Sequence, residues 1–141
     1  MKVRDIMTKE IACMSADEPV EKAAELMKQY NVGSIPICEG NKVIGIVTDR
    51  DIALRYVADR KNTMWQPISN VMTSNPIVGS PDMDAQDAAR MMGQHQIRRL
   101  PIVERGTLVG IVALGDISTQ PELQHNAGHA LQDISKPGSM T

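Results

Sequence analysis

The sequence predicts an α+β fold, two βαββα repeats packed sheet to sheet about a pseudo-twofold axis, with a short helix added at the C-terminus. Three observations lead there. The chain has 141 residues, enough to bury roughly two-thirds of its unfolded surface without disulfides or metal. It repeats itself: a shift of 65 residues lays Arg4–Ile52 on Ser69–Ile117 without a gap. Each copy then reads as strand, helix, strand, strand, helix. Two copies are too few for a solenoid, so a face-to-face pair is expected.

The register of the repeat holds along its whole length. Met7/Met72, Thr8/Thr73, Ser15/Ser80, Asp17/Asp82 and Ala23/Ala88 are identical, as are Pro36/Pro101, Gly45/Gly110 and Asp51/Asp116. In the first copy Asp17 is placed as an N-cap, with Pro19 just inside the helix. Val20, Ala23, Ala24 and Met27 follow at helical spacing and form one apolar face. Asn31 and Gly33 end that helix. Ser34–Cys38 and Val43–Thr48 are short β-rich runs, joined by Glu39-Gly40-Asn41-Lys42, a hairpin signal. Ile52, Ala53, Tyr56 and Val57 line a second amphipathic helix, from about Thr48 to Arg60. The second copy repeats this with Ala85, Ala88, Ala89 and Met92. Its strands fall near Leu100–Val103 and Leu108–Val112, around the turn Glu104-Arg105-Gly106-Thr107. Residues 121–135 form the added helix, with Leu123, Ala127, Leu131 and Ile134 on one face. The expected boundaries are repeat one at 2–61, a linker at 62–65, repeat two at 66–118 and an extension at 119–141, its last residues a frayed tail.

Composition excludes several classes of function. Apolar residues are 42% and charged residues 23%, which argues against wholesale disorder. No apolar run approaches the roughly 20 residues a membrane helix needs, and no signal-peptide pattern opens the chain. A soluble cytoplasmic protein with no membrane partner is expected. Fifteen Lys and Arg against seventeen Asp and Glu give no field for nucleic acid. Aromatic residues are 2% of the chain, too few to stack bases. The ten methionines stand in as flexible core filler.

Several landmarks carry a family resemblance. They are Asp5-Ile6-Met7-Thr8 with Asn70-Val71-Met72-Thr73, then Ile35-Pro36-Ile37 with Leu100-Pro101-Ile102. Gly45-Ile46-Val47-Thr48-Asp49-Arg50-Asp51 with Gly110-Ile111-Val112-Ala113-Leu114-Gly115-Asp116 complete the set. Weak singly, they are strong when repeated in one register, and the chain resembles a tandem pair of CBS (cystathionine β-synthase) domains over about residues 2–118. That resemblance implies two clefts and an adenosyl ligand: AMP, ADP, ATP or S-adenosylmethionine, with AMP favoured. It further implies a homodimer, and regulation in trans of a protein effector that the sequence does not identify.

By the same resemblance, one cleft draws Thr48, Asp51 and Ile46 from the first repeat, with Pro76, Ile77, Val78, Arg98 and Arg99 from the second. Asp51 would accept the ribose hydroxyls. Thr48 and the arginine forks would hold phosphate, and the apolar residues would wall the adenine. The second, weaker cleft pairs Asp116 and Ile111 with Ile11, Ala12, Gly33 and Ser34. There Ala113 replaces the threonine, and Gly33 and Ser34 replace the arginines.

Blander readings stand beside these. Thr48-x-x-Asp51 also fits a capping box needing no ligand, and adjacent arginines also fit a solvated surface. Cys13 and Cys38 match no CxxC site, and buried thiols are the default reading, with a disulfide as the alternative. His125 and His129 sit i, i+4 on the added helix, where a solvated face is favoured over a metal site. No nucleophile elbow, P-loop or GxGxxG is present, so no catalytic residue, catalytic cofactor or metal is expected. The alternatives to a ligand sensor are a structural dimerisation module with vestigial clefts, and an enzyme or enzyme subunit related to IMP dehydrogenase. The last is disfavoured because nothing outside the repeats is large enough for a catalytic barrel.

Overall fold

A computed structural model describes residues 1–59 and 65–137. The expected linker at 62–65 and the frayed tail therefore lie largely outside the described residues. Among the described residues the elements run α1 (Val20–Tyr30), β1 (Ser34–Glu39), β2 (Lys42–Thr48), α2 (Asp49–Ile52), β3 (Thr73–Ser74), α3 (Ala85–His95), β4 (Arg99–Glu104), β5 (Thr107–Ala113), α4 (Leu114–Ser118) and α5 (Gln124–Ile134). The leading strand expected in the first repeat is reduced to an isolated bridge between Met14 and Ile37, and that of the second to the two residues of β3. A π-helical stretch, Ala53–Val57, continues α2. The mixed α and β content and the C-terminal helix match the expected class.

The two compact units are not quite the two sequence repeats. One spans Ala12–Pro76; the other joins Met1–Ile11 to Ile77–Thr141. Leading segments are exchanged between the copies, and backbone hydrogen bonds hold them in place. Val3 N–H donates to the Met83 carbonyl and Arg4 N–H to the Pro81 carbonyl, both at 3.0 Å. In the other unit Ile68 N–H donates to Glu18 at 2.7 Å and Val20 N–H to Gln66 at 3.1 Å. The last of these bonds corrects a sequence expectation. Pro19 bridges Pro67 in extended conformation and so occupies the N-cap, rather than the first helical turn of α1.

In the Ala12–Pro76 unit β1 and β2 form an antiparallel hairpin whose register pairs Ser34 with Thr48 and Glu39 with Lys42. β3 adds to the open edge of β2, opposite Gly45 and Ile46. Ile35, Ile37 and Val47 from the hairpin meet Val20, Ala23 and Met27 from α1, with Met14, Tyr56 and Ile68 completing the core. Tyr56 donates its hydroxyl proton to Glu21 on α1; that bond, then burial, raises the phenol pKa.

The other unit repeats this plan with the β4–β5 hairpin, pairing Arg99 with Ala113 and Glu104 with Thr107. Its core centres on Leu100, Ile102 and Val112 packed on Ala85, Ala88, Ala89 and Met92. The added helix α5 then covers α3, burying Ala127, Ala130 and Ile134 together with Leu123 from the turn that precedes it. This cover explains a mismatch between the copies. Ala89 is buried under α5, whereas its counterpart Ala24 is exposed because α1 has no such cover among the described residues. Leu131, expected on the buried face, is 44% exposed.

The two hairpins turn differently because their sequences do. Gly40 has φ +61° and Asn41 stays negative, whereas Arg105 and Gly106 are both positive, at 52° and 79°. Glycine at the first central position selects a type II′ turn; two positive residues make a type I′ turn.

The repeated Met-Thr and Gly-Ile-Val motifs explain each other. A Cβ at Gly45 would lie 3.0 Å from the Thr73 carbonyl oxygen and 3.1 Å from Met72 Cγ. At Gly110 it would lie 3.1 Å from the Thr8 oxygen and 2.9 Å from Met7 Cγ. The backbone oxygen cannot move without breaking strand pairing, so each close approach needs glycine. Gly110→Ala is accordingly expected to destabilise by about 1–3 kcal/mol, read as a lower urea midpoint. An unchanged midpoint would refute the close-approach role.

Candidate functional site

Each hairpin brings the start of its first strand beside the end of its second, and the short helix that follows begins there. Asp49 N–H donates to the Gly33 carbonyl at 3.0 Å, and Leu114 N–H donates to the Arg98 carbonyl at 2.8 Å. Two equivalent neighbourhoods result, one in each unit.

In the Ala12–Pro76 unit, Thr48 and Asp51 form a reciprocal capping box. Thr48 Oγ1 accepts from Asp51 N–H and Asp51 Oδ2 accepts from Thr48 N–H, both at 3.0 Å. The structural reading of the Thr-x-x-Asp motif is therefore realised. It still leaves Asp51 Oδ1, which lies 3.9 Å from Arg55 Nε. Arg55 in turn donates through Nη1 to the Val71 carbonyl at 3.1 Å. Ser34, opposite Thr48, is 5% exposed. Among the described residues its hydroxyl has no hydrogen-bond partner, an uncompensated cost in a buried position. Ile46 pairs with Thr73, which brings Pro76 near the same edge: Asn75 N–H donates to the Ile44 carbonyl at 3.2 Å. Thr48, Asp51, Ile46, Pro76, Ala12, Gly33 and Ser34 all belong to this unit.

The other unit holds Arg98, Arg99, Asp116, Ile111, Ile11, Ile77 and Val78. Asp116 Oδ2 accepts from Ala113 N–H at 2.8 Å; alanine supplies no hydroxyl, so only half of the box remains. Among the described residues, neither arginine makes an ion pair or a side-chain hydrogen bond. Both line a cavity of about 480 Å³ with Ala113, Leu114 and Gly115 at the start of α4, and Ala127 and Leu131 of α5. That volume lies within the roughly 300–1,000 Å³ of small-molecule sites. Thr8 pairs with Ile111, through bonds of 2.8 and 2.9 Å, which brings the segment leading to Ile11 to this edge.

The sequence expectation joined the arginines to Thr48 and Asp51. Those residues belong to different units; within its own unit the antiparallel register sets Arg99 opposite Ala113. Gly33 and Ser34 are set by the same register next to Thr48. The contribution of α5 to the cavity was missed, since that helix lies outside the repeat. Its only sequence signal was Ala127 and Leu131 on an amphipathic stretch. Among the described residues no group of three or more His, Cys, Asp or Glu could hold a metal ion, and no helix is long and apolar enough to cross a membrane.

The family model for the CBS domain matches residues 3–58 and 68–120. The chain is 47% identical over 133 residues to the CBS domain-containing protein YhcV of Bacillus subtilis, covering 94% of each. Among solved structures, it is similar to the CBS domain pair of protein MJ0100 in complex with 5′-methylthioadenosine and S-adenosyl-L-methionine. That match has a TM-score of 0.76 and 31% identity, covering 84% of this chain and 93% of the other. It is also similar to CBSX2 in complex with AMP, with a TM-score of 0.74 and 27% identity, covering 88% and 97%. With two matched copies accounting for most of its length, this chain belongs to the CBS domain family.

Proposed function

We propose that the protein is a regulatory sensor that binds an adenosyl ligand, AMP in preference to the others, and carries no chemistry of its own. The observation that carries this reading is the Arg98–Arg99 couple, unpaired among the described residues, at a cavity of about 480 Å³ that takes in the start of α4, the helix carrying the half-capped Asp116. An anion relieves two adjacent guanidinium groups that have no carboxylate partner among the described residues, and their planar forks suit phosphate. Asp116 Oδ2 is held by a backbone N–H, which leaves Oδ1 to accept ribose hydroxyls. The solved relatives that hold AMP or S-adenosyl-L-methionine support the ligand class.

In this proposal Arg98, Arg99 and Asp116 form the polar end of one site, and Ile111, Ile11, Ile77 and Val78 supply apolar surface. Thr48, Asp51 and the buried Ser34 hydroxyl form the polar end of a second, with Ile46, Pro76, Ala12 and Gly33 as its apolar surroundings. Asp51 is the poorer ribose acceptor of the pair, because Arg55 already lies near its second oxygen. Binding regulates a protein partner in trans only if that partner distinguishes the ligated form. A homodimer is part of the proposal: Leu54 and Val57, at 47% and 55% exposed, leave an apolar face where a second copy would bury area.

Calorimetry against AMP, ADP, ATP, S-adenosylmethionine and adenosine tests the reading. AMP is expected to bind more tightly than adenosine and to weaken as salt rises, because the phosphate contacts are partly screened. No heat with any of the five would leave the dimerisation reading in its place. Light scattering at micromolar concentration tests the dimer, and a monomeric mass would remove it.

A further inference from the structure

The two cysteines lie far apart in sequence and meet in the Ala12–Pro76 unit. The segment carrying Cys13 runs parallel to β1. Met14 N–H donates to the Pro36 carbonyl at 3.1 Å, and Cys38 N–H donates to the Met14 carbonyl at 2.7 Å. This bridge sets Met14 against Ile37, both buried in the core. Side chains alternate along extended backbone, so Cys13 and Cys38 turn to the opposite face together. There the Cys13 thiol stands near enough to Cys38 to raise the pKa of its thiol. They are unequal in access: Cys13 is exposed and Cys38 is 7% exposed.

From this juxtaposition we infer that Cys13 and Cys38 form a reversible dithiol–disulfide site, oxidised by low-molecular-weight disulfides. The chemistry balances in two exchanges. Cys13, the accessible thiol, loses its proton to solvent and attacks one sulfur of the small disulfide. A mixed disulfide forms on Cys13, and the first small thiolate leaves and takes up a proton. Cys38 then loses its proton, and its sulfur attacks Cys13 Sγ. The bond from Cys13 to the small thiol breaks and the second small thiol is released. Two protein thiols are oxidised, and one small disulfide is reduced to two thiols.

The burial that shields Cys38 also assigns the order. Burial first, and the neighbouring Cys13 second, push the Cys38 thiol up to about 11, so at neutral pH it remains protonated and out of reach of external reagents. Cys13 is the thiol that such a reagent meets. Capping Cys13 places the mixed disulfide directly beside Cys38, which makes the second exchange intramolecular. The finished bond staples the Ala12–Met14 segment to β1 across a long loop of chain, and constrains the unfolded state accordingly.

The test treats the reduced full chain with oxidised glutathione at neutral pH, quenches with an alkylating agent, and reads intact mass and peptide map. The expected product is a monomer lacking two hydrogen atoms, with the Cys13 peptide linked to the Cys38 peptide. It should return to two alkylated thiols after dithiothreitol and should melt several degrees higher than the reduced form. Cys38→Ala, which keeps the site apolar, should stop at the glutathione adduct on Cys13, and Cys13→Ser should take up no glutathione. A wild-type adduct that persists unresolved, a link between two chains, or equal modification of Cys13 and Cys38 in the reduced protein would each overturn the proposal.

Discussion

A chain ending at Gln120 is expected to lose most of the stability of the unit that α5 covers. Leu123 and Ile134 are 1% and 2% exposed. Burying each such side chain is worth about 1.5–3 kcal/mol, and removing α5 also uncovers Ala89 on α3. The helices approach closely because Gly93 faces them: a Cβ there would lie 3.4 Å from Ala130 Cα. Gln96 Nε2 adds a hydrogen bond to the Asp133 carbonyl at 3.1 Å. The combined loss is on the order of 5 kcal/mol, comparable with the whole stability of a small domain. Urea unfolding followed by circular dichroism reads it as an early, separate transition or a large drop in midpoint. Ile134→Ala is the graded version, with an expected cost of about 2–5 kcal/mol. Truncation that leaves the midpoint unchanged would show that α5 packs on α3 without supporting it.

That dependence on α5 was only partly legible in the sequence. Periodicity placed the helix and its buried Leu123, Ala127 and Ile134, because apolar spacing is a local signal. It also placed Leu131 on the same face, yet Ala130 is buried and Leu131 is not. The choice between adjacent positions depends on where α3 lies, which no single helix encodes. The strands and turns were more legible, since Gly40 and Gly106 fix the hairpins by chemistry that is local. Exchange of the leading segments was not legible at all. The 65-residue register marks Met7 and Met72 as equivalent but does not say which glycine each one packs against.

Site residues divide along the same line. Position was readable: Thr48, Asp51, Arg98, Arg99 and Asp116 all stand at the helix-starting ends of the hairpins. What the strand register adds is the neighbour of each inside its own unit, Ser34 opposite Thr48 and Arg99 opposite Ala113. A Thr-x-x-Asp motif also satisfies its own helix start, as Thr48 and Asp51 do. The arginines carry more information, since no capping role explains them.

Arg99→Ala is expected to weaken AMP at least tenfold while leaving adenosine nearly unchanged, and Asp116→Ala to weaken both. The difference follows from what each residue offers. A guanidinium contributes through the phosphate, so its loss should collapse the ratio of AMP to adenosine affinity. A carboxylate contributes through the ribose hydroxyls, which both ligands share, so its loss should preserve that ratio. Truncating one partner of a charge-assisted pair costs about 2–5 kcal/mol where the pair is buried. Arg99 is half-buried and Arg98 exposed, so Arg98→Ala should cost less. Asp116 also accepts the Ala113 N–H, and its loss should lower stability by about 1 kcal/mol as a missing cap does; Asp116→Asn, which keeps an acceptor oxygen, separates that effect from binding. The decisive measurement is a double-mutant cycle on AMP affinity. Residues holding one ligand molecule couple and distant ones add, so Arg99 should couple to Asp116 and be additive with Asp51. Coupling of Arg99 to Asp51 instead would return the arginines to Thr48 and Asp51, and AMP affinity indifferent to Arg99 and Asp116 alike would remove both from the site.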